Sequence, residues 1–320
     1  MSIEDKVIEI LSSSQNYVSG TNLASMLGVS RVTVNRVIKK LIAKGYPVDV
    51  HPRLGYRLVM IDDLSSLSLY VKNLNTYVKY SVHYLPACSS TQDIAESLAI
   101  EGASEGTVVI AERMERGRGR LRRSWSASEG GLWFSVILRP PFVKNLQLVT
   151  LAIGVGVASG IRKSTGLEVK LKWPNDVLYN GKKVGGILVE GKLEADKVHY
   201  IIAGIGVNVN NTLPPELTEL ATTLSSAAGK KLNRIPIFLS ILRELDAQYS
   251  LLLRGEEKKI IKEWKKLSYT LNKMVEVVMD NEKIVGLAVD LLPDGALLVK
   301  TGEGEFRKIY SGDIIHLREA

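Results

Sequence analysis

The densest cluster of potentially reactive side chains in this sequence is Gly117-Arg118-Gly119-Arg120-Leu121-Arg122-Arg123-Ser124-Trp125. Glycine lets backbone N–H groups approach a ligand closely, and the guanidinium group of arginine offers paired donors to phosphate or carboxylate. The composition therefore indicates a loop that wraps an anion. An exposed basic turn or a nucleic-acid patch would have the same composition, so this segment alone leaves all three interpretations open.

Further segments carry cations, amides and glycines in a fixed order. They are Ser90-Thr91-Gln92, then residues 172–176 (KWPND), 183–190 (KVGGILVE) and 204–210 (GIGVNVN). Together with GRGR at 117–120, this ordered set resembles the motifs of biotin protein ligases, which have Ser-Thr-Asn where this chain has Ser90-Thr91-Gln92. An N-terminal helix-turn-helix and a C-terminal β-rich segment extend the resemblance to the bifunctional form, the biotin operon repressor and ligase.

The resemblance implies a fold class. It is α+β multidomain: a winged helix-turn-helix DNA-binding domain at residues 1–62, a central mixed α/β class II synthetase-like biotin ligase domain at 63–271, and a small SH3-like β-barrel at 272–320. The sequence pattern of the same three regions is consistent with this division, as described below.

The resemblance also implies a reaction and partners. The enzyme would use ATP and Mg²⁺ to form biotinyl-5′-AMP from biotin, and would transfer biotin to a lysine of a biotin carboxyl carrier protein. It would also repress transcription on operator DNA as a homodimer, with biotinyl-5′-AMP as its corepressor. Two alternatives are a lipoate or octanoate transferase, which shares the catalytic fold, and a transcription factor that senses a biotin adenylate without catalysis.

The chemistry of this reaction requires cations between two anions. The carboxylate of biotin is a poor acylating group, so it must become a mixed anhydride with AMP, and preorganised cations stabilise the crowded transition state most. By resemblance, the catalytic residues are Lys183, Arg118 and Arg120. The expected biotin-binding residues are Ser90, Thr91, Gln92, Met114, Arg118, Gly119, Arg120, Lys183 and Gly186. The expected ATP-binding residues are Arg118, Arg123, Trp125, Lys172, Asn175, Asp176, Lys183 and Asn208, and Asp176 is the expected metal ligand.

Some of these residues also have simpler structural interpretations. Lys183 could be an ordinary solvated lysine in the turn Asn180-Gly181-Lys182-Lys183, and Lys182 lies beside it. Trp125 could belong to the core rather than provide a face for adenine. Ser90 could be a helix N-cap for residues 92–99, either instead of binding biotin or as well as doing so.

Two positions depart from the family pattern. Met114 stands before the basic loop where the family usually has Gln, and a thioether cannot form a strong hydrogen bond to the ureido group of biotin. Arg122 stands within the loop where the family usually has Gly. The first departure leaves the hydrogen bonds to biotin open, and the second is expected to stiffen the loop and add charge.

The N-terminal pattern predicts three helices and a wing. Ile3, Val7 and Ile10 share one face of the first helix. Thr21 can cap the second helix, in which Leu23, Ala24 and Leu27 face inward. Gly28 then supplies a turn. Ser30 can cap a third helix that buries residues at helical spacing, namely Val34, Val37, Ile38, Leu41 and Ile42. Alternating residues around 51–55 then predict a β-hairpin with a basic tip.

The outer face of the third helix concentrates cations and amides, which is typical of a recognition helix in a major groove. The residues expected to contact DNA are Ser19, Ser30, Arg31, Thr33, Asn35, Arg36, Lys39, Lys40 and Arg53. The alternative is a protein-interaction module with a solvated basic face. A single winged helix reads one half-site, so tight binding is expected to require a homodimer.

Hydrophobic periodicity predicts the remaining elements. Residues 61–81 form a linker or connecting helix with Leu64, Leu67, Leu74 and Val78 available for packing. Strands are expected at 107–111, 132–138, 186–193 and 199–209, and helices at 148–164, 237–253 and 260–269. After Leu271, short strands separated by 293–295 and 302–304 predict a small β domain.

Composition limits the class of protein. A chain of 320 residues is too long for one ordinary core. Its one cysteine, Cys88, excludes an internal disulfide framework, and the charged N-terminus differs from a signal peptide, so a cytoplasmic protein is expected. The run from Leu148 to Ile161 contains three glycines and is too short to span a membrane. The net charge of +8 favours an anionic partner.

Overall fold

The computed structural model describes residues 2–14, 16–143, 145–194, 197–279 and 282–316. Within these ranges the paired strands form sheets of two, eight and five strands, which follow one another along the chain. Each sheet lies in one of the three predicted regions. The α+β multidomain architecture is therefore confirmed, whereas the boundaries at residues 62 and 271 stay predictions.

The N-terminal region consists of three helices and a two-stranded wing. Its elements are α1 (Ile3–Ser13), α2 (Gly20–Leu27), α3 (Arg31–Ala43), β1 (Val48–His51) and β2 (Gly55–Leu58). Gly28 ends α2 with φ of 65°, a left-handed conformation that favours glycine. Ser30 then caps α3 by accepting a hydrogen bond from the backbone N–H of Thr33 at 3.1 Å. The predicted winged helix-turn-helix is present.

Two details of this region differ from the prediction. The cap of α2 is Ser19, whose hydroxyl accepts a hydrogen bond from the backbone N–H of Asn22 at 3.1 Å, and the predicted cap Thr21 lies inside the helix. Ile42, which was expected to be buried, is 44% exposed. The inner face of α3 is already complete without it, because it contains Val34, Val37, Ile38 and Leu41.

The connection to the central domain contains only short helices. A 3₁₀ turn at Leu64–Ser66 leads into α4 (Leu67–Val71), and the chain is irregular from there to residue 80. The four apolar side chains predicted to pack here are buried, namely Leu64, Leu67, Leu74 and Val78. The connection is therefore part of the packed structure.

A buried arginine fixes the connection to the central domain. The side chain of Arg234 is 6% exposed, and its Nε donates to Asp62 at 2.9 Å. Its Nη1 donates to Glu112 at 2.5 Å and to the carbonyl of Gly131 at 3.2 Å. A buried guanidinium is stable when carboxylates and carbonyls satisfy its donors. One side chain thus joins the connection to a strand and a turn of the catalytic sheet.

The central domain combines one large sheet with helices. Its elements in chain order are β3 (Ser81–Cys88), α5 (Thr91–Ile100), β4 (Thr107–Arg118), β5 (Ser124–Ala127), β6 (Leu132–Leu138), α6 (Leu146–Thr165), β7 (Lys170–Lys172), β8 (Asp176–Tyr179), β9 (Lys182–Glu194), β10 (Lys197–Val207), α7 (Leu224–Ala228), α8 (Arg234–Leu253) and α9 (Glu257–Leu267). The strand order is β3-β4-β6-β10-β9-β8-β7, and β5 pairs with β4. Only β3 and β4 run parallel among these pairs.

Helix α6 passes through the centre of this domain. Its glycines allow close approach to α8, because a Cβ on Gly160 would lie 2.5 Å from the Cα of Ile241, and one on Gly156 would lie 2.8 Å from the Cα of Leu245. The apolar run in α6 was predicted to be too short to span a membrane, and this prediction is wrong: the helix has 20 residues and, among the described residues, is the one long and apolar enough to do so. However, 72% of that stretch is buried inside the protein.

The C-terminal region is a small antiparallel sheet. Its strands are β11 (Met274–Val278), β12 (Lys283–Leu291), β13 (Leu297–Thr301), β14 (Phe306–Ile309) and β15 (Asp313–His316), in the order β14-β13-β12-β11-β15. The predicted small β domain is confirmed. The turn before β15 faces the catalytic domain, and residues 317–320 of the predicted domain lie outside the described ranges.

Candidate functional site

A cavity lies between the start of α5, the basic loop after β4 and the strands β8, β9 and β10. Most of the residues predicted to bind biotin or ATP line it, namely Ser90, Thr91, Gln92, Met114, Arg118, Gly119, Arg120, Arg123, Trp125, Asn175, Asp176, Lys183 and Gly186. These residues are separated by up to 96 positions in the sequence, so the fold brings the predicted motifs to one place. Lys172 and Asn208 do not line this cavity.

One part of the cavity is a hydrogen-bond network around Gln92. The side chain of Gln92 is buried, and its Nε2 donates to Glu190 at 2.9 Å and to the carbonyl of Ile202 at 3.2 Å. Its Oε1 accepts a hydrogen bond from the hydroxyl of Ser135 at 3.1 Å. A Cβ on Gly204 would lie 2.5 Å from this oxygen, so the absence of a side chain at that position makes room for it.

Thr91 and Met114 lie next to this network. The hydroxyl groups of Thr91 and Ser135 are 3.0 Å apart, and the sulfur of Met114 lies 3.4 Å from the backbone nitrogen of Thr91. Ser90 is buried and occupies the N-cap position of α5, but its side chain forms no capping hydrogen bond. Ser90 therefore occupies the position of a helix cap, as the simpler interpretation expects, but its hydroxyl does not form the hydrogen bond of one.

The basic loop is held by acidic and amide groups. Nη2 of Arg118 lies 2.8 Å from Asp93 and 3.0 Å from Glu190. Nη1 of Arg120 lies 3.4 Å from Oδ1 of Asn175, and burial lowers the pKa of this arginine.

The C-terminal domain also contacts this loop. The carbonyl of Gly312 lies 3.5 Å from Nη1 of Arg120, and Arg123 forms an ion pair with Asp313. These contacts place the turn before β15 against the basic loop and the cavity. The side chain of Arg122, the second departure from the family pattern, lies outside what the structure describes.

Lys183 and Trp125 meet in the wall of the same cavity. Nζ of Lys183 lies 2.6 Å from Asp176 and 5.1 Å from the centre of the Trp125 ring, so the lysine is an ion-pair and cation–π partner rather than a freely solvated side chain. The ring of Trp125 lies against glycine backbone, because a Cβ on Gly206 would approach it to 2.7 Å. Trp125 also contacts Trp133 edge-on, so it combines packing with a place in the cavity wall.

The backbone of Lys183 is fixed by a distant segment. Its N–H donates to the carbonyl of Leu220 at 2.9 Å, and its carbonyl accepts from the N–H of Thr222 at 2.9 Å. The neighbouring Lys182 points elsewhere, since its Nζ donates to the carbonyl of Thr218 at 2.9 Å. The structure therefore distinguishes the two adjacent lysines, and only Lys183 lines the cavity.

The predicted DNA-facing surface lies on α3 and the wing. Seven of its predicted residues are exposed, namely Ser30, Arg31, Asn35, Arg36, Lys39, Lys40 and Arg53. Nζ of Lys40 lies 3.8 Å from Glu4 of α1. The predicted hydroxyl residues Ser19 and Ser30 cap α2 and α3, and the hydroxyl of Thr33 lies 2.9 Å from that of Ser30.

The donor set limits how Mg²⁺ could bind. The described part of the chain contains no group of three or more His, Cys, Asp or Glu side chains arranged to hold a metal ion. Two carboxylates line the cavity: Asp176 lies against Lys183, and Asp313 forms an ion pair with Arg123. This set fits an ion held mainly by nucleotide phosphates, which commonly keeps several waters and takes one or two protein carboxylates.

Comparisons with known proteins agree with the geometry. Residues 84–208 match the biotin/lipoate A/B protein ligase family, residues 4–57 match a helix-turn-helix domain, and residues 270–317 match the biotin protein ligase C-terminal domain. The bifunctional ligase/repressor BirA of Bacillus subtilis is 39% identical over 96% of this chain and 97% of its own length. The chain belongs to the family of bifunctional biotin ligases and repressors.

Other relatives support the assignment to this family. The bifunctional ligase/repressor BirA of Escherichia coli K12 is 29% identical over 98% of this chain and 97% of its own length. The biotin protein ligase of Aquifex aeolicus, solved in complex with biotin and ATP, is similar in structure with a TM-score of 0.67 and 34% identity. That structure covers 75% of this chain, and 99% of its own chain is matched.

Two of the residues predicted to bind ATP, Lys172 and Asn208, do not line the cavity. Burial lowers the pKa of Lys172, and the neighbouring Lys183 lowers it further, whereas Asp176 opposes both effects. Lys172 is therefore close to the charged groups of the site. Asn208 is buried, and its Oδ1 accepts a hydrogen bond from Asn211 at 3.2 Å. The ATP-binding roles of both residues stay predictions.

Sequence reasoning missed three polar residues of the site. Ser135 lies in an otherwise apolar strand, Glu190 was read only as the last letter of a motif, and Asp313 lies in another domain. A buried hydroxyl within an apolar strand was the one available signal for Ser135, because a buried polar group requires a partner. No local pattern connects Asp313 with Arg123, which lies 190 positions away.

Proposed function

We propose that this chain is an ATP-dependent biotin protein ligase that also represses transcription. It forms biotinyl-5′-AMP and transfers biotin to a lysine of a biotin carboxyl carrier protein. The observation that carries the proposal is the single cavity in which a buried amide network meets Lys183, Trp125 and the arginines of the basic loop. The network suits the polar ring of biotin, and the cations suit the two anions that must react.

The side chains of the cavity divide the chemistry between them. Arg118 and Arg120 bind the carboxylate of biotin, and Arg123 binds phosphates of ATP. Lys183 stabilises the charge that develops between the attacking carboxylate and the α-phosphate, since a positioned cation in a confined site is most effective there. Trp125 offers a ring face for adenine. Mg²⁺ that accompanies ATP would take Asp176, and it would neutralise phosphate charge there.

Arg118, Arg123 and Lys183 already have acidic partners, so substrate binding at these three side chains is an exchange of anions. Arg120 contacts the amide oxygen of Asn175 and the carbonyl of Gly312 instead. The carboxylate of biotin takes the place of Asp93 or Glu190 on Arg118, and a phosphate takes the place of Asp313 on Arg123. Such exchange keeps each cation compensated before and after binding, which lowers the desolvation cost of holding it in the site.

The repressor activity resides in the winged helix-turn-helix. We propose that α3 enters the major groove of operator DNA, that the tip of the wing contacts the backbone, and that a cytoplasmic homodimer binds two half-sites. Biotinyl-5′-AMP acts as the corepressor by stabilising this dimer. The exposed cations of α3 and the family relationship support this part of the proposal.

One assay tests the ligase activity directly. The full chain is incubated with biotin, ATP, Mg²⁺ and a biotin carboxyl carrier domain, and intact-mass spectrometry follows the carrier. The expected result is a mass increase of one biotinyl group that requires ATP. Parallel reactions with octanoate and lipoate distinguish the alternative transferases, and modification by those acids but not by biotin would reject the proposal. The absence of any product despite tight adenylate binding would favour a sensor without catalysis.

A further inference from the structure

A single carboxylate oxygen connects two parts of the cavity. Oε2 of Glu190 accepts hydrogen bonds from Nε2 of Gln92 at 2.9 Å and from Nη2 of Arg118 at 3.0 Å. Gln92 belongs to the buried amide network, and Arg118 begins the basic loop. Glu190 lies on β9, the strand that also carries Lys183. It is therefore placed to act on the ring end and on the carboxylate end of a bound biotin.

The chemistry of Glu190 determines which way the amide of Gln92 points. A carboxamide has one end that donates and one that accepts, whereas an ionised carboxylate and a backbone carbonyl only accept. Glu190 and the carbonyl of Ile202 therefore require the NH₂ end of Gln92. The carbonyl end, Oε1, must then lie on the side of Ser135 and Gly204, as the structure shows.

This orientation leaves an acceptor available in the cavity. A carbonyl oxygen has two lone pairs, and the hydroxyl of Ser135 uses one of them. Gln92, Ser135 and Gly204 all line the cavity. Oε1 therefore keeps acceptor capacity on a side chain that lines the cavity, and a rotated amide would present NH₂ in its place.

We propose that Glu190 is a specificity-determining positioning residue, which fixes the carboxamide of Gln92 so that its oxygen accepts an N–H of the biotin ureido ring. The inference deepens the proposed function and rests on it. Glu190 also forms an ion pair with Arg118. The same side chain therefore orients the oxygen that accepts from the biotin ring and positions the cation that binds the biotin carboxylate. A thioether is only a weak acceptor, so with Met114 at its position this oxygen would carry much of the recognition of the ring.

Asp93 provides a matched control. Its carboxylate pairs with Arg118 at 2.8 Å, and among the described residues it shows no hydrogen bond to the amide of Gln92. Glu190→Gln removes the acceptor-only group and lets the amide of Gln92 rotate, while nearly preserving shape. Asp93→Asn alters the other partner of Arg118 and leaves the restraint on Gln92 in place.

The experiment compares two ligands by calorimetry with the full chain. Biotin carries the ureido ring and the carboxylate, and biotinol carries the same ring with an alcohol in place of the carboxylate. Glu190→Gln should weaken both ligands by at least about tenfold, the scale of one buried polar group left with the wrong partner. Asp93→Asn should change biotinol affinity by less than about twofold, because an alcohol cannot form an ion pair with Arg118.

Further controls separate this role from a general loss of structure. Circular dichroism and thermal melting check the fold of each variant. Glu190→Asp keeps an acceptor-only group, so it should retain more biotinol affinity than Glu190→Gln. The inference is overturned if Glu190→Gln leaves biotinol affinity unchanged, which includes the case in which it weakens the binding of biotin alone. For Asp93→Asn, by contrast, weaker binding of biotin alone is compatible with the inference. Failure of the wild-type chain to bind biotin would reject the proposed function itself and this inference with it.

Discussion

The ligand cavity and the DNA-facing surface both present cations, but they hold them differently. In the cavity Arg118, Arg123 and Lys183 each form an ion pair with a carboxylate. On α3 the side chains of Arg31, Arg36 and Lys39 are exposed, and they form no ion pair with any other residue that the structure describes. An anion that binds one of these three cavity cations replaces a carboxylate, whereas a DNA phosphate meets cations on α3 that have no such partner among the described residues.

This difference separates two kinds of selectivity. Cations that are each paired with a carboxylate have defined positions, so they discriminate by geometry. Exposed cations attract phosphates over a distance and release counterions when they bind, so their contribution falls as the salt concentration rises. The same chain can therefore recognise a small acid by precise geometry in the cavity and a polyanion by charge on α3, although both surfaces are positively charged.

The largest expected effect is on the cavity. Lys183→Ala should lower the rate of adenylate formation by at least about a hundredfold, which corresponds to roughly 3 kcal/mol of transition-state stabilisation. Lys182→Ala is the matched control and should have a mild effect, because Nζ of Lys182 donates to the carbonyl of Thr218 and the side chain does not line the cavity. Pyrophosphate release measures both rates, and equal rates for the wild type and Lys183→Ala would contradict the assignment of Lys183.

The next effect concerns the DNA-facing surface. Arg36→Ala should weaken specific operator binding by about 2 kcal/mol, within the range for one side chain that reads a base, and should leave ligase turnover intact. Lys44→Ala serves as the control from the same region, because Lys44 is already paired with Glu4 and should matter less. Fluorescence anisotropy measures the affinity of each variant for operator DNA. If both variants lost the same affinity, cations with and without a carboxylate partner would not differ in their contribution to DNA binding.

A third effect joins the two regions. Biotin plus ATP should raise operator affinity by about tenfold or more, a coupling of at least roughly 1.4 kcal/mol, because the adenylate stabilises the dimer that binds both half-sites. Binding should also fall steeply with salt as contacts of Lys39, Lys40 and Arg53 with phosphates are lost.

Sedimentation and anisotropy on the same samples, with and without biotinyl-5′-AMP, measure this coupling. If the ligand changes neither the association state nor the binding curve, the repressor part of the proposed function fails. A ligase with a differently used N-terminal domain would then remain.

The smallest effect tests how complete the cavity is. Met114→Gln should change biotin affinity by no more than about 1 kcal/mol, the net value of one hydrogen bond, because the network around Gln92 already offers polar groups. Calorimetry on the wild type and on this one variant measures the change. A hundredfold tighter complex would show instead that Met114 leaves part of the biotin ring without a partner.

Sequence patterns identified the winged helix-turn-helix, the large sheet and most of the cavity wall, because turn glycines, periodicity and ordered motifs are local signals. The choice of Ser19 over Thr21 as a cap was not predictable, since either hydroxyl could have satisfied the first turn of α2. The exposure of Ile42 was also not predictable, because it depends on how many side chains of α3 fit against the neighbouring helices in the folded domain.

The polar contacts of the cavity were also beyond local patterns. Glu190 meets Gln92 across 98 positions of the sequence, and Asp313 reaches Arg123 from another domain. Such partners are chosen by tertiary packing, which no periodicity records. By contrast, Lys183 was separated from Lys182 by its motif before the structure showed their different surroundings.

The buried Arg234 has a consequence for dividing the chain. A ligase cut after residue 62 would lose Asp62, and Arg234 would then keep only Glu112 and the carbonyl of Gly131 as partners. The cut would also strip cover from the apolar side chains of Leu64 and Leu67, which belong to a core shared with the N-terminal helices. The two activities therefore cannot be separated by a cut at this point, and a minimal ligase made from this chain would have to keep Asp62 or supply another acceptor for Nε of Arg234. It would also require polar substitutions along the new surface.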